Sequence, residues 1–174
     1  MATLSVGIIG TGFGAKVLAP AFKTVPDVEV RAIAGQDPQK AALAGHASGI
    51  STVHDSWQRL IDDPEVEAVV VAVPPSAHFE VVTAALRAGK HVLCEKPFGI
   101  DADQAAQMCE LARQSGRICM VDYLFRMAPE RVRLKELLDG HELGRLIRVT
   151  VEWTVRGRAA GNSAWSWQFD PSAG

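Results

Sequence analysis

The sequence predicts a doubly wound α/β domain built on a parallel sheet, and three observations predict it. Short apolar runs alternate with helical patterns at the spacing of strand–helix–strand units. One run, Val66-Glu67-Ala68-Val69-Val70-Val71-Ala72-Val73, is valine-rich and nearly continuously apolar, as strands buried on both faces are. A glycine cluster, Gly10-Thr11-Gly12-Phe13-Gly14-Ala15, follows the first apolar run and opens a helical pattern.

Taken in order, Leu4–Ile9 reads as the first strand and residues 13–23 as the first helix. Val28–Ala34 is the second strand, and Asp37-Pro38 then supplies a helix cap followed by proline at the first helical position. Residues 50–53 form a short third strand and 57–61 a short helix. The valine run at 66–73 is the fourth strand. Pro74-Pro75 stops it, and Ser76 is expected to cap a helix reaching Ala88, closed by Gly89. Residues 91–94 form a fifth strand, Asp101 caps a helix that Gly116 stops, and residues 117–122 form a sixth strand. A helix over Pro129–Asp139, closed by Gly140, follows. The last segment changes period: Ile147, Val149, Val151, Trp153 and Val155 alternate with polar residues, which predicts a strand with one buried and one wet face.

Composition sets the outer bounds. The chain has 174 residues, 48% of them hydrophobic, enough for one domain with a sizeable core. A net charge of −2 with both signs interspersed gives no basic surface for nucleic acid or anionic membrane. No apolar run reaches the roughly 18 residues of a membrane span, and the first strand begins too early to leave room for a signal peptide. Cys94, Cys109 and Cys119 show no metal-ligand spacing, so no metal site is expected. Cys94 and Cys119 lie in apolar strand patterns and read as buried free thiols of a reducing compartment, the cytoplasm.

The glycine cluster fits G-x-G-x-x-A in the strand–turn–helix context that dinucleotide binding requires. Gly10 permits the tight turn and Gly12 lets a pyrophosphate approach the backbone. Ala15 allows close helix–strand packing, and Phe13 and Gly14 complete the turn. The domain is therefore expected to be of the Rossmann type. The end of the second strand selects between NAD and NADP. Gly35-Gln36-Asp37-Pro38-Gln39-Lys40 offers no acid in the usual place, because Asp37 comes late and is better explained as a cap. Gly35 would not repel a 2′-phosphate, and Lys40 either reaches one or is a solvated helix lysine. The cofactor is read as NAD(P), with NADP slightly favoured.

The most specific stretch is Gly89-Lys90-His91-Val92-Leu93-Cys94-Glu95-Lys96-Pro97. A strand runs straight into Glu95, Lys96 and Pro97, and ligands sit beyond the carboxyl ends of strands in open parallel sheets. With the glycine turn, with Val71-Ala72-Val73-Pro74-Pro75-Ser76-Ala77-His78, with Arg126-Met127-Ala128-Pro129 and with Leu138-Asp139-Gly140-His141-Glu142-Leu143-Gly144, it makes the whole chain resemble the Gfo/Idh/MocA oxidoreductases.

The resemblance implies a dinucleotide-binding domain at 1–123 and, at 124–174, the start of a substrate and oligomerisation domain with a mainly antiparallel sheet. It implies that Lys96 is the catalytic residue, beside nicotinamide and substrate, and that Glu95 and Pro97 shape the cofactor site. Val73, Pro74 and His78 match the loop under the cofactor, though His78 also reads as a polar residue in a helix's first turn. Tyr123 and Arg126 match positions near the nicotinamide, though Arg126 also reads as one half of a hinge ion pair. The substrate implied is a sugar, cyclitol or related polyhydroxy compound, and the full-length protein is expected to be a homo-oligomer. The family continues past a Trp-containing stretch into a glycine cluster and then a catalytic Asp and His. This chain stops at Gly174, before them, so the sequence reads as truncated and inactive by itself. A non-catalytic sensor of dinucleotide or sugar is the alternative, and Lys96 speaks against it.

Overall fold

The computed structural model describes residues 3–154. Six strands, β1 (Leu4–Ile9), β2 (Val28–Ala34), β3 (Thr52–His54), β4 (Ala68–Val71), β5 (His91–Glu95) and β6 (Cys119–Asp122), form one sheet in the order β3-β2-β1-β4-β5-β6. Every pairing is parallel. The helices between strands are α1 (Ala19–Phe22), α2 (Pro38–Ser48), α3 (Trp57–Asp62), α4 (His78–Arg87) and α5 (Ala102–Ser115).

Successive strand residues point to opposite faces, and both faces are buried. Ile9, Val69 and Val71 join a cluster with Leu60, Val82, Leu86 and Met108 from α3, α4 and α5. Their neighbours Ile8 and Val70 join a second cluster with Ala15, Leu18 and Ala19 from the first helical segment. The valine run thus supplies both cores of a doubly wound sheet, each fully buried valine giving about 1.5–3 kcal/mol of transfer free energy.

Asp37 caps α2 as expected, its Oδ1 accepting from the amides of Gln39 (3.0 Å) and Lys40 (3.2 Å). Asp101 Oδ1 accepts from the Gln104 amide at 2.7 Å to cap α5, which stops at a left-handed Gly116. Lys90 ties down the loop entering β4: its Nζ donates to the carbonyl oxygens of Asp63 (2.8 Å) and Val66 (2.6 Å).

Several boundaries differ from the sequence reading. The first helical segment opens as a π-type turn, Gly14–Leu18, before α1. Ser76 does not cap α4. Pro74 and Pro75 fix φ and wind the chain into a 3₁₀ turn, Pro75–Ala77, so α4 starts at His78 with no side-chain cap and Ser76 stays exposed.

Contacts divide the chain between Asp122 and Tyr123. The second unit opens with a 3₁₀ turn, Leu124–Met127, followed by α6 (Pro129–Asp139). In it the Phe125 and Trp153 rings meet edge to face at 5.0 Å, and the Arg131 guanidinium lies 5.0 Å from the Phe125 ring centre. The strand expected at 147–155 is not formed among the described residues: 147–154 pair with no other segment, and Ile147, Val149, Val151 and Trp153 are all exposed. Alternation tells a strand which face to bury, but the ladder needs a partner backbone. Residues 155–174 lie outside the described residues.

Candidate functional site

The sheet order places the carboxyl ends of β1, β2, β4, β5 and β6 along one edge. The order reverses between β1 and β4, and this switch point is where open α/β sheets bind ligands. The glycine turn leaves β1 there. Gly10 has φ +135, and a Cβ on it would stand 2.2 Å from the Ala72 carbonyl oxygen of β4's exit, so only glycine fits. Its amide donates to the Ala34 carbonyl at 2.9 Å, closing the turn against β2. A Cβ on Gly14 would meet Ile8 Cγ2 at 2.9 Å, and Ala15 is buried, so the helical segment lies close on the sheet. Gly12 differs from both: nothing lies within 4 Å of where its Cβ would stand. Its missing side chain serves no internal packing, which fits a backbone left bare for a phosphate to approach. Phe13 is exposed beside it.

At the end of β2, a Cβ on Gly35 would stand 2.6 Å from Thr11 Cγ2. The Thr11 methyl fills the space from which an acidic side chain would grow. Gln36 is exposed. The Asp37 carboxyl is held below its ordinary range, foremost by the Lys40 amide, with the Gln39 amide adding to it against some desolvation. Lys40 is exposed and already has a counter-ion, its Nζ lying 3.4 Å from Asp37 Oδ2.

The β4 and β5 exits are joined by His78. The ring is completely buried; Nδ1 lies 2.8 Å from the Pro97 carbonyl oxygen and Nε2 2.9 Å from that of Val73. One side chain therefore ties the Val73-Pro74 loop to the loop bearing Lys96 and Pro97. Pro74 is half-buried; Lys96 and Pro97, joined by a cis peptide bond, are exposed at the sheet's edge. The Lys96 amide donates to Glu95 Oε2 at 3.2 Å. Glu95 is half-buried, and its Oε1 has no hydrogen-bond partner. Burial first, and then the neighbouring Asp122 carboxylate, push Glu95 above the ordinary range.

Asp122 stands directly opposite Glu95 in the β5–β6 register. It was not among the residues singled out from the sequence. The signal was present, since Asp122 closes the sixth strand as Glu95 closes the fifth, and the strand-end rule applies to both. Tyr123 and Arg126 belong to the second unit and are exposed there, with the Arg126 amide donating to the Tyr123 carbonyl at 2.7 Å.

A cavity of about 260 Å³ opens between the first helical segment and α2, lined in part by Thr11, Lys16 and Ser48. It reaches the glycine turn only at Thr11 and Ala15, so the switch point is the better candidate. Among the described residues no group of three His, Cys, Asp or Glu side chains could hold a metal ion, and no helix is long and apolar enough to cross a membrane. Cys94 is buried, and burial raises its thiol far above the ordinary range. Cys119 is half-buried and pushed up to about 11, chiefly by burial, and Cys109 is exposed.

Residues 4–123 match the GFO_IDH_MocA model, described as an oxidoreductase family with an NAD-binding Rossmann fold. An uncharacterized oxidoreductase of Synechocystis sp. is 37% identical over 164 residues, which are 94% of this chain and 44% of the relative. Inositol 2-dehydrogenase/D-chiro-inositol 3-dehydrogenase of Lactiplantibacillus plantarum is 38% identical over 143 residues, 80% of this chain and 41% of the relative. Among solved structures, an NAD binding oxidoreductase from Klebsiella pneumoniae superimposes with a TM-score of 0.78 at 31% identity, covering 83% of this chain and 40% of that one. The chain thus spans less than half the length of these relatives.

Proposed function

The chain belongs to the Gfo/Idh/MocA oxidoreductase family through an NAD-binding Rossmann domain at residues 4–123, and from that premise we propose that it is the cofactor-holding part of an NAD(P)-dependent dehydrogenase. The substrate is a sugar, cyclitol or related polyhydroxy compound, a class to which the inositol substrate of the Lactiplantibacillus relative belongs. Residues 1–123 bind the dinucleotide, and 124–174 begin the substrate domain, which also carries the contacts of a homo-oligomer.

The observation that carries this reading is the pairing of two features on one sheet edge. Gly12 offers a bare backbone beside the switch point, and Lys96 stands exposed at the end of β5. Bound nicotinamide supplies the carbon that exchanges a hydride with the substrate's carbinol carbon. The chain's own part is to orient and to move a proton. Gly10, Gly12, Phe13, Gly14 and Ala15 form the pyrophosphate turn, and Gln36 and Lys40 border the adenosine ribose. Val73 and Pro74 would line the cofactor, with the buried His78 holding their loop in place, while Glu95 and Pro97 fix the loop from which Lys96 Nζ takes or returns the substrate hydroxyl proton. Tyr123 and Arg126 act at the nicotinamide end. Holding both reactants in line supplies much of the rate, so this chain alone is expected to bind cofactor without turning over substrate. The Thr11 methyl, which leaves no room for an acidic side chain at Gly35, and the cation at Lys40 favour acceptance of NADP.

The test is Gly12→Val. A side chain there has open space, so the domain should fold with unchanged stability while calorimetric affinity for NADH and NADPH disappears. Unchanged affinity in the folded variant would refute the assignment of the turn. To separate an enzyme from a sensor, Lys96→Ala in the protein that turns over substrate should lower turnover by about 10²–10⁴-fold, the range of a general acid–base group, and leave dinucleotide binding nearly intact. Turnover within threefold of the parent would remove Lys96 from the mechanism.

A further inference from the structure

We propose that Asp122 is a positioning residue of this site: its carboxyl and that of Glu95, at the ends of adjacent strands, hold one proton between them and so present a single negative charge to Lys96. The consequence for Lys96 rests on the function proposed above; the pairing itself rests on the strand ends alone.

Parallel strands in register bring the residues of a pair side by side on the same face of the sheet, and Glu95 and Asp122 are such a pair. They are the last residues of their strands, where the sheet's own ladder ends. Two adjacent carboxylates repel, and a half-buried site cannot relieve the repulsion with water alone; one shared proton does. Glu95 offers the oxygen such a proton would engage. Its Oε2 is engaged by the Lys96 amide at 3.2 Å, while Oε1 is shielded from solvent and has no partner. An O–H shared with Asp122 satisfies Oε1 and turns a repulsive pair into a hydrogen-bonded one. The charged and titratable groups acting on Glu95 are few. Asp122 comes from β6, Lys96 from the loop that follows β5, and the Cys94 thiol from β5 itself. On the other side, β4 meets β5 with Val71 opposite Cys94 and brings no charge.

The shared proton has a direct use beside Lys96. A single negative charge at the strand ends attracts the Lys96 ammonium less strongly than two would, so the lysine side chain is left free to reach a substrate. The hydrogen bond to the Lys96 amide also fixes where the side chain departs from the strand.

Carboxyl ¹³C NMR of the 174-residue chain, with Glu95 and Asp122 assigned through Glu95→Gln and Asp122→Asn, tests the pairing. Glu95 should titrate in two coupled steps, the upper one above the ordinary glutamate range. In Asp122→Asn, Glu95 should return to a single step at least about one pH unit lower than that upper step, a tenfold change in acidity. A single step near the ordinary value in the parent chain overturns the proposal, as does an unchanged Glu95 curve in folded Asp122→Asn. If that variant does not fold, the parent curve and the Glu95 curve in Asp122→Ser decide, the latter being expected to return to the same single lower step. A two-step curve in a chain that binds neither NADH nor NADPH would uphold the pair and count against the proposed function alone.

Discussion

Replacing His78 by alanine removes a fully buried ring that stands between two carbonyl oxygens. The Pro97 carbonyl oxygen lies 2.8 Å from Nδ1 and that of Val73 2.9 Å from Nε2; a neutral imidazole carries one N–H and donates to one of them. That buried acceptor left unsatisfied costs about 1–3 kcal/mol, and truncating a buried side chain to alanine adds about 2–5 kcal/mol of lost packing. The net expectation is a loss of about 3–8 kcal/mol, a large part of the 5–15 kcal/mol a domain of this size usually has. Urea unfolding followed by circular dichroism measures it directly: the midpoint should fall while the slope with denaturant stays constant. Because the ring joins two loops that flank the proposed cofactor site, NADPH affinity should also fall under conditions where the variant remains folded. A stability loss below about 1 kcal/mol at an unchanged slope would show that His78 is not the tie between the β4 and β5 exits.

Three further expectations concern other parts of the domain. Gly35→Asp alone should destabilise, because its Cβ would press on Thr11 Cγ2; combined with Thr11→Ser it should be tolerated and shift fluorescence-measured preference from NADPH towards NADH. The absence of that shift would mean that the β2 end does not select the cofactor. Burial works to raise the Asp63 carboxyl, but the Glu65 amide at 2.9 Å and His54 at 3.0 Å outweigh it and hold Asp63 below its ordinary range. A depressed carboxylate contributes stability above its unfolded value of about 3.9 and loses it as pH falls through the folded value. Urea midpoints should thus drop below about pH 4, with a shallower drop in Asp63→Asn. Of the three thiols, exposed Cys109 should react rapidly with Ellman's reagent and buried Cys94 only on unfolding; a fast phase surviving in Cys109→Ser would contradict the described burial.

Much of this architecture is legible from local chemistry. The Asp37-Pro38 and Asp101 caps and the Gly116 stop are decided within one helical turn, and each stands where the residues indicate. The valine run reports burial on both faces without any knowledge of its neighbours. What escaped depends on groups distant in sequence. Ser76 has the chemistry of a cap, but the two prolines before it set the backbone first. The segment at 147–154 carries a strand's alternation, yet pairing depends on a partner the pattern does not contain. Asp122 gains its meaning from Glu95, 27 positions earlier, and only the β5–β6 register sets them side by side. At Gly35 the residue was plain, but its reason, the Thr11 methyl against it, required the β1 turn and the β2 end to be seen together.

The two fastenings of the segment between α3 and β4 differ in what can undo them. His54 holds Asp63 through a carboxylate, which acid neutralises. Lys90 holds Asp63 and Val66 through backbone carbonyls, which have no proton to gain over the same range. Acid below about pH 4 should therefore open this segment from one end only, slackening the β3 side while the entry to β4, and with it the central strand behind the glycine turn, stays moored.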